Sequence, residues 1–169
     1  MKIPKKLVNF NLFVNGRDKA GIISELTLPS LEMKTEDYKS GGMDVPIAVE
    51  GGGMEALTAT FVLAEYDPQI LGNFGFKENG PVQLEARGAG KYHNALSAYI
   101  IRMSGIISKV EWGNWKAGDT NMNQPFTLRC NYLLIEIDGR TVVEIDAINL
   151  KRIIDGEDQL AGIRAILGI

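Results

Sequence analysis

Two dipeptides constrain this chain more than any other feature: Asn15-Gly16 and Asp138-Gly139. Each sits between runs of alternating apolar and polar residues, and both members of such a pair accept the positive φ that a type I′ turn demands. A chain punctuated this way folds into antiparallel ribbons. Before the first turn, Val8, Phe10, Leu12 and Val14 share one face, with Asn9 and Asn11 on the other. The returning segment carries Ile22 to Leu28 and stops at Pro29, which cannot donate to a ladder. Around the second turn, Phe126 to Ile137 and Arg140 to Ile145 form a stronger hairpin.

The same period of two recurs between them. Leu57, Ala59, Phe61 and Leu63 oppose Thr58, Thr60 and Val62, which predicts a half-buried strand within Glu55 to Glu65. Val82 to Arg87 and Leu96 to Met103 read as further strands, with Gly88-Ala89-Gly90 beginning the link between them. Pro46 to Glu50 reads as a short strand closed by Gly51-Gly52-Gly53. Nineteen glycines, many between short apolar runs, suit a mainly β domain rich in turns. Two helices interrupt it. Asp67-Pro68 is an N-cap followed by proline at the first helical position; Ile70, Leu71 and Phe74 then share a stripe that ends at Gly75. Leu160, Ile163 and Leu167 predict a short C-terminal helix within Glu157 to Leu167, stopped by Gly168.

One segment breaks the pattern. Lys34, Thr35, Glu36, Asp37, Tyr38, Lys39, Ser40, Gly41, Gly42, Met43 and Asp44 describe an exposed excursion. Loops of this length in a compact domain are often functional. From the residues alone it reads equally as an arm that docks on a neighbour and as a solvated loop. With 169 residues and no linker or repeat, the chain is expected to be one domain, residues 1–169.

Chemistry is sparse. A formal charge of −3 gives no footprint for nucleic-acid binding, and Lys2, Lys5 and Lys6 read as a solvated end. Cys130 is the sole cysteine, so no intrachain disulfide forms; within Phe126 to Leu134 it reads as a small strand residue. His93, the single histidine, has no second histidine with which to share a metal. Glu136, Asp138, Glu144 and Asp146 cluster around the second hairpin, where a solvent face of antiparallel strands accounts for them without hydrolysis or calcium binding. Gly51-Gly52-Gly53 and Gly88-Ala89-Gly90 lack the residues that would make a phosphate loop. Trp112 and Trp115 have no basic groove around them and read as core or interface packing. The N-terminus lacks a secretory pattern, and no apolar run reaches the ~18 residues of a membrane helix. Synthesis in the cytoplasm is the default expectation. No catalytic, cofactor-binding or metal residue is predicted.

Several short pieces, taken in order, point further. They are Asn11-Leu12-Phe13-Val14-Asn15-Gly16, Leu28-Pro29 with the segment to Asp44, Trp115-Lys116-Ala117-Gly118, Val143-Glu144-Ile145-Asp146, and Gly156 to Ile163. Together they resemble the major tail tube proteins of contractile bacteriophage tails and the tube proteins of R-type pyocins. The resemblance runs end to end. It implies a two-sheet β-sandwich or barrel-like subunit with one flanking helix, assembled into hexameric rings that stack into a hollow tube. That tube would sit inside a contractile sheath, meet baseplate and tail terminator proteins, and pass DNA through its lumen in a phage without binding it specifically. The family has no catalytic residue to carry over. Six subunits giving about four strands each would make a wall of roughly 24 strands; at ~4.8 Å spacing and ~40° tilt its backbone diameter is about 45–50 Å.

The residues from Lys34 to Asp44 are the candidate contact between subunits or rings. The rival readings are a small ligand-binding or hydrolytic β-barrel using carboxylates near Glu136 and Glu144, a nucleic-acid-binding barrel, and the related tube subunit of type VI secretion.

Overall fold

The computed structural model describes residues 4–76, 80–119 and 122–169. Lys2 and part of the polar stretch from 113 to 124 lie outside them. Within these residues the chain is mainly β, with two sheets and two short helices.

The first ribbon pairs β1 (Lys6–Val14) with β2 (Arg17–Asp18) across Asn15-Gly16, whose φ values of 48° and 76° are those the turn needs. The return is only two residues long. β3 (Ile23–Thr27), expected to continue that return, instead pairs with β6 (Thr58–Leu63). Between them, β4 (Met33–Tyr38) and β5 (Ile47–Met54) form a separate two-stranded sheet. β5 runs straight through Gly51-Gly52-Gly53, so these glycines do not close a strand as expected.

β6 leads through Asp67 into α1 (Pro68–Leu71). The Asp67 carboxylate accepts from the Gln69 amide, and Pro68 takes the first helical position as predicted. The helix is one turn long: it stops at Gly72 rather than Gly75, burying Ile70 but leaving Phe74 exposed. The buried Lys19 ammonium reaches Asp67 and ties the end of the first ribbon to this helix.

The long strands follow. β7 (Val82–Tyr92) and β8 (Ala95–Val110) form one hairpin, turning at His93-Asn94; Gly88-Ala89-Gly90 lie within β7, not in a link. β9 (Gln124–Ile137) and β10 (Arg140–Asp146) turn at Asp138-Gly139, with φ of 51° and 81°. A further hairpin was not expected: β11 (Lys151–Ile154) and β12 (Glu157–Asp158) turn at Asp155-Gly156. α2 (Ala161–Leu167) ends at left-handed Gly168 as predicted.

β9 organises the larger sheet. Its first half pairs with β6 and its second half with β10, while β8 runs along its other side. The ladder thus proceeds from β3 through β6, β9, β8 and β7 to β1. One apolar cluster draws Leu12, Phe61, Leu84, Met103, Phe126 and Val143 from six of these strands, with the Phe61 and Phe126 rings stacked at 5.0 Å. The curl stops short of a closed barrel. Leu26 of β3 faces Leu7 and Phe10 of β1 across an open groove, and these two strands form no ladder.

Candidate assembly surface

The predicted arm is half strand and half loop. Lys34, Thr35, Glu36, Asp37 and Tyr38 lie in β4, while Lys39, Ser40, Gly41, Gly42, Met43 and Asp44 connect it to β5. The segment is exposed, as expected, apart from the half-buried Met43, but its first half is paired strand and not loop. These residues form a ribbon in which Thr35 opposes Glu50, Glu36 opposes Val49 and Tyr38 opposes Ile47. Alternation puts Tyr38, Ile47, Val49 and Glu36 on one face. Tyr38 is 53 % exposed and Ile47 51 %, so this face carries apolar surface into solvent. At the loop, the Met43 amide donates to the Ser40 carbonyl, and Gly42 takes φ 89°.

At its base the ribbon meets β11 through Arg152. That guanidinium is buried, donating to Glu50 Oε1 at 3.4 Å and reaching the Met33 sulfur at 3.4 Å. Its Nε has no hydrogen-bond partner among the described residues. Both contacts are long; beside them, Met54 at the end of β5 packs against the apolar core and anchors the ribbon's base.

Three other surfaces are unfinished in the same sense. No residue of α2 is buried, and Ile163, Ile166 and Leu167 of its apolar stripe stand exposed; Arg164 holds the helix by donating to the Leu150 carbonyl and to Asp158. The expected stripe exists, but the chain does not cover it. The groove between β3 and β1, about 410 Å³, is lined by Leu7, Phe10, Leu26, Leu28, Tyr99 and Ile135. Trp112 and Trp115 are exposed beside Tyr66, whose hydroxyl accepts from the Trp115 indole, so a core role for either tryptophan is excluded.

The strand β1 also departs from its predicted face. A bulge between Leu7 and Asn9 takes Val8 out of register, so Val8 is 61 % exposed while Leu12 and Val14 are buried. Because the Asn15 amide donates to Gln83 O, the odd residues point to β7 and the even ones face outward. The outward amides of Phe10 and Leu12 donate to the side chains of Asn9 and Asn11 instead of to another strand.

On the face of the large sheet away from the core, charged residues form a ladder. Glu85 of β7 accepts from Arg87 at 2.5 Å and from Arg102 of β8 at 2.9 Å, and Arg102 approaches Glu136 of β9 at 3.9 Å. Arg87 also lies 5.1 Å over the Phe13 ring of β1. The Arg102 guanidinium, aided by Arg87, holds the Glu85 carboxyl below its usual range despite partial desolvation.

The remaining candidates for chemistry have ordinary explanations. His93 sits in the β7–β8 turn at φ 49°, edge-on to Tyr92. Burial pushes the Cys130 thiol up to about 11. Asp138 accepts from the Ala98 amide and Ser97 Oγ, and Asp146 accepts from the amides of Ile148 and Asn149. Glu136 lies opposite Thr141 and Glu144 opposite Leu134, so the two glutamates are not partners across the hairpin. Lys5, expected to be solvated, donates to the Leu96 carbonyl and to Ser97 Oγ. Among the described residues no three acidic, histidine or cysteine side chains could hold a metal, and no helix is long and apolar enough to cross a membrane.

Sequence reasoning selected Lys34 to Asp44 but missed Val45, Ile47 and Val49, which extend the exposed apolar surface. Ile47-Ala48-Val49-Glu50 alternates as a half-buried strand would, so no sequence signal separates it from one.

The geometry can be set beside known proteins. A family model described as "Phage tail tube protein FII" matches residues 4–168. The tail tube protein of Escherichia phage P2 is 28 % identical over 174 residues, covering all of both chains. The major tail tube protein of Serratia phage KSP20 is 31 % identical over 162 residues, covering 94 % of this chain and 92 % of its own. Among solved structures, a chain from the sheath/tube terminator of the extracellular contractile injection system PVC, in its extended state, superposes with a TM-score of 0.60. That likeness covers 80 % of this chain and 98 % of the other at 10 % identity, and so speaks for the fold alone.

Proposed function

The chain belongs to the phage tail tube protein FII family and is a structural subunit of a tail tube; from that premise we propose that copies close into hexameric rings which stack into a hollow cylinder. The observation that carries this reading is the match over residues 4–168, with relatives covered nearly end to end. The structure supports it from a separate side. The exposed ribbon β4–β5, the uncovered stripe of α2 and the open outer edge of β1 are surfaces that another copy would complete. Monomeric proteins suppress unpaired strand edges and apolar ribbons. A polymer uses them: neighbours join side to side until rotation closes, and a head-to-tail contact stacks the rings.

In this proposal the residues Lys34 to Asp44, with Val45, Ile47 and Val49, make the contact between subunits or rings. A contractile sheath surrounds the cylinder, and baseplate and tail terminator proteins meet its two ends. The tube is driven through a target envelope when the sheath contracts, and in a phage it passes DNA. Assembly takes place in the host bacterial cytoplasm, and the whole chain acts as one tube domain.

The test is removal of Lys39 to Met43. The loop is exposed apart from the half-buried Met43, and none of it enters the core. The shortened subunit is expected to keep its circular dichroism spectrum and to form no tubes under negative-stain microscopy. Tubes of normal width and length from the deletion variant refute the assignment of the arm.

A further inference from the structure

The charged ladder is the feature that the assembly reading does not use. It spans three adjacent strands on the bare face of the large sheet, with Phe13 of β1 alongside. This face is hollowed: a concavity of about 510 Å³ is lined by Phe13, Glu85, Arg87, Arg102, Ser104 and Tyr132. The opposite face carries the core and, across it, α1 and the strands β3 and β6 at the curled end of the same sheet. When copies close into a ring, the thicker side needs the larger circumference, so the layered face lies outside and the bare, hollowed face lines the lumen.

A face of this composition would ordinarily hold a polyanion. Two guanidiniums per subunit, repeated around each ring and along the stack, form a dense cationic surface, and every phosphate contact adds to retention. Here both are engaged. Glu85 accepts from each, and Glu136 adds a second carboxylate on Arg102. The pairing register puts Asp18 beside Phe13 and Glu144 beside Leu134 on the same face, while Asp146 faces Lys151 at one side and Lys6 faces Lys91 at one end.

We propose that Glu85 is the residue that keeps this wall from gripping DNA: by holding Arg87 and Arg102 against the sheet, it leaves a lumen along which a nucleic-acid duplex slides without being retained. This rests on the tube reading above. The partner is recognised through its phosphate backbone alone, independent of sequence. Neutralising Glu85 leaves Arg87 without a carboxylate and Arg102 with only the more distant Glu136, and the resulting grip weakens with salt.

The experiment uses assembled tubes of the full chain, checked by microscopy, and a short fluorescent DNA duplex as probe. Tubes of wild type, E85Q and the triple variant E85Q/R87Q/R102Q are sedimented with the duplex at low and at moderate salt. E85Q is expected to carry down about fivefold or more duplex than wild type at low salt, to lose it at moderate salt, and to return to the wild-type level in the triple variant. In parallel, S104C tubes are treated with a small maleimide and with a maleimide on a large polymer, against wild type as the blank for Cys130. Labelling by the small reagent with exclusion of the large one along the tube is expected. Equal retention by E85Q and wild-type tubes overturns the proposal, as does free labelling of S104C by the large reagent, which would put this face on the exterior. Wild-type protein that forms no tubes at any concentration overturns the tube reading itself, a result distinguishable from either.

Discussion

Gly105 is the position where the structure makes its sharpest demand. It lies in β8 between Val82 of β7 and Cys130 of β9, beside the break in the β8–β9 register. A methyl group there would stand 2.7 Å from the Arg129 carbonyl carbon and 2.9 Å from the Cys130 Cα, and closer still to the carbonyl oxygen. Ordinary van der Waals contact begins at 3.4 Å. These neighbours are backbone, so no side chain can swing aside; the Arg129 peptide has to retreat by about 1 Å or more. Overpacking of this kind costs ~1–3 kcal/mol, and each disrupted ladder bond adds ~1 kcal/mol. With about two bonds lost, Gly105→Ala is expected to destabilise the subunit by roughly 3–5 kcal/mol. For a chain of this length each kcal/mol moves the midpoint by ~2–4 °C, so Tm falls by roughly 10 °C. Thermal and urea unfolding of the dispersed subunit, followed by near-ultraviolet circular dichroism, measures it. A variant within ~0.5 kcal/mol of wild type refutes the reasoning, because it would mean the two long strands can part at no cost.

Two further expectations follow from titrating groups. The Asp138 carboxyl is held below the usual carboxylate range by the Ala98 amide and Ser97 Oγ; that contribution is full above pH ~4, the unfolded-state value, and disappears as pH falls through the lower folded-state value. In D138N, whose asparagine also accepts the left-handed turn conformation, urea midpoints between pH 6 and pH 3 should fall less than in wild type; an equal fall shows the carboxylate contributes nothing. Cys130, with its thiol at about 11, should present a thiolate fraction near one in a thousand at pH 8. Its alkylation is expected to be slow in the native subunit and fast in denaturant, and equal rates count against its burial.

The sequence reading succeeded where one physical cause acted alone. Ala59, Phe61 and Leu63 are fully buried because an unbroken strand with one wet face has to alternate. Asp138-Gly139 makes its turn because few other residue pairs accept those angles. The misses came from competing causes. A bulge at Val8 reversed the inferred face below it, and no residue type announces a bulge. Asn15-Gly16 fixed a turn but not the length of its return, which tertiary pairing shortened when β3 found β6. Asp155-Gly156 carries the same turn signal as the other two, but the strand after it is two acidic residues with no apolar member to betray it. Lys34 to Tyr38 looked like a loop because every residue of β4 is exposed, and a strand with no buried face shows no alternation. The stripe of α2 was legible as a helix, but periodicity cannot say whether its cover lies in the same chain.

The ribbon of β4 and β5 has a bearing on when tubes appear. Two strands alone in water are marginally stable, and this pair meets the rest of the molecule only at its base, through Arg152 and Met54. Its face of Tyr38, Ile47 and Val49 stays wet until another surface receives it, and the first two copies to meet cover little of it. Later arrivals land on a rim already set. Growth of that kind is expected to show a lag that preformed tube ends remove.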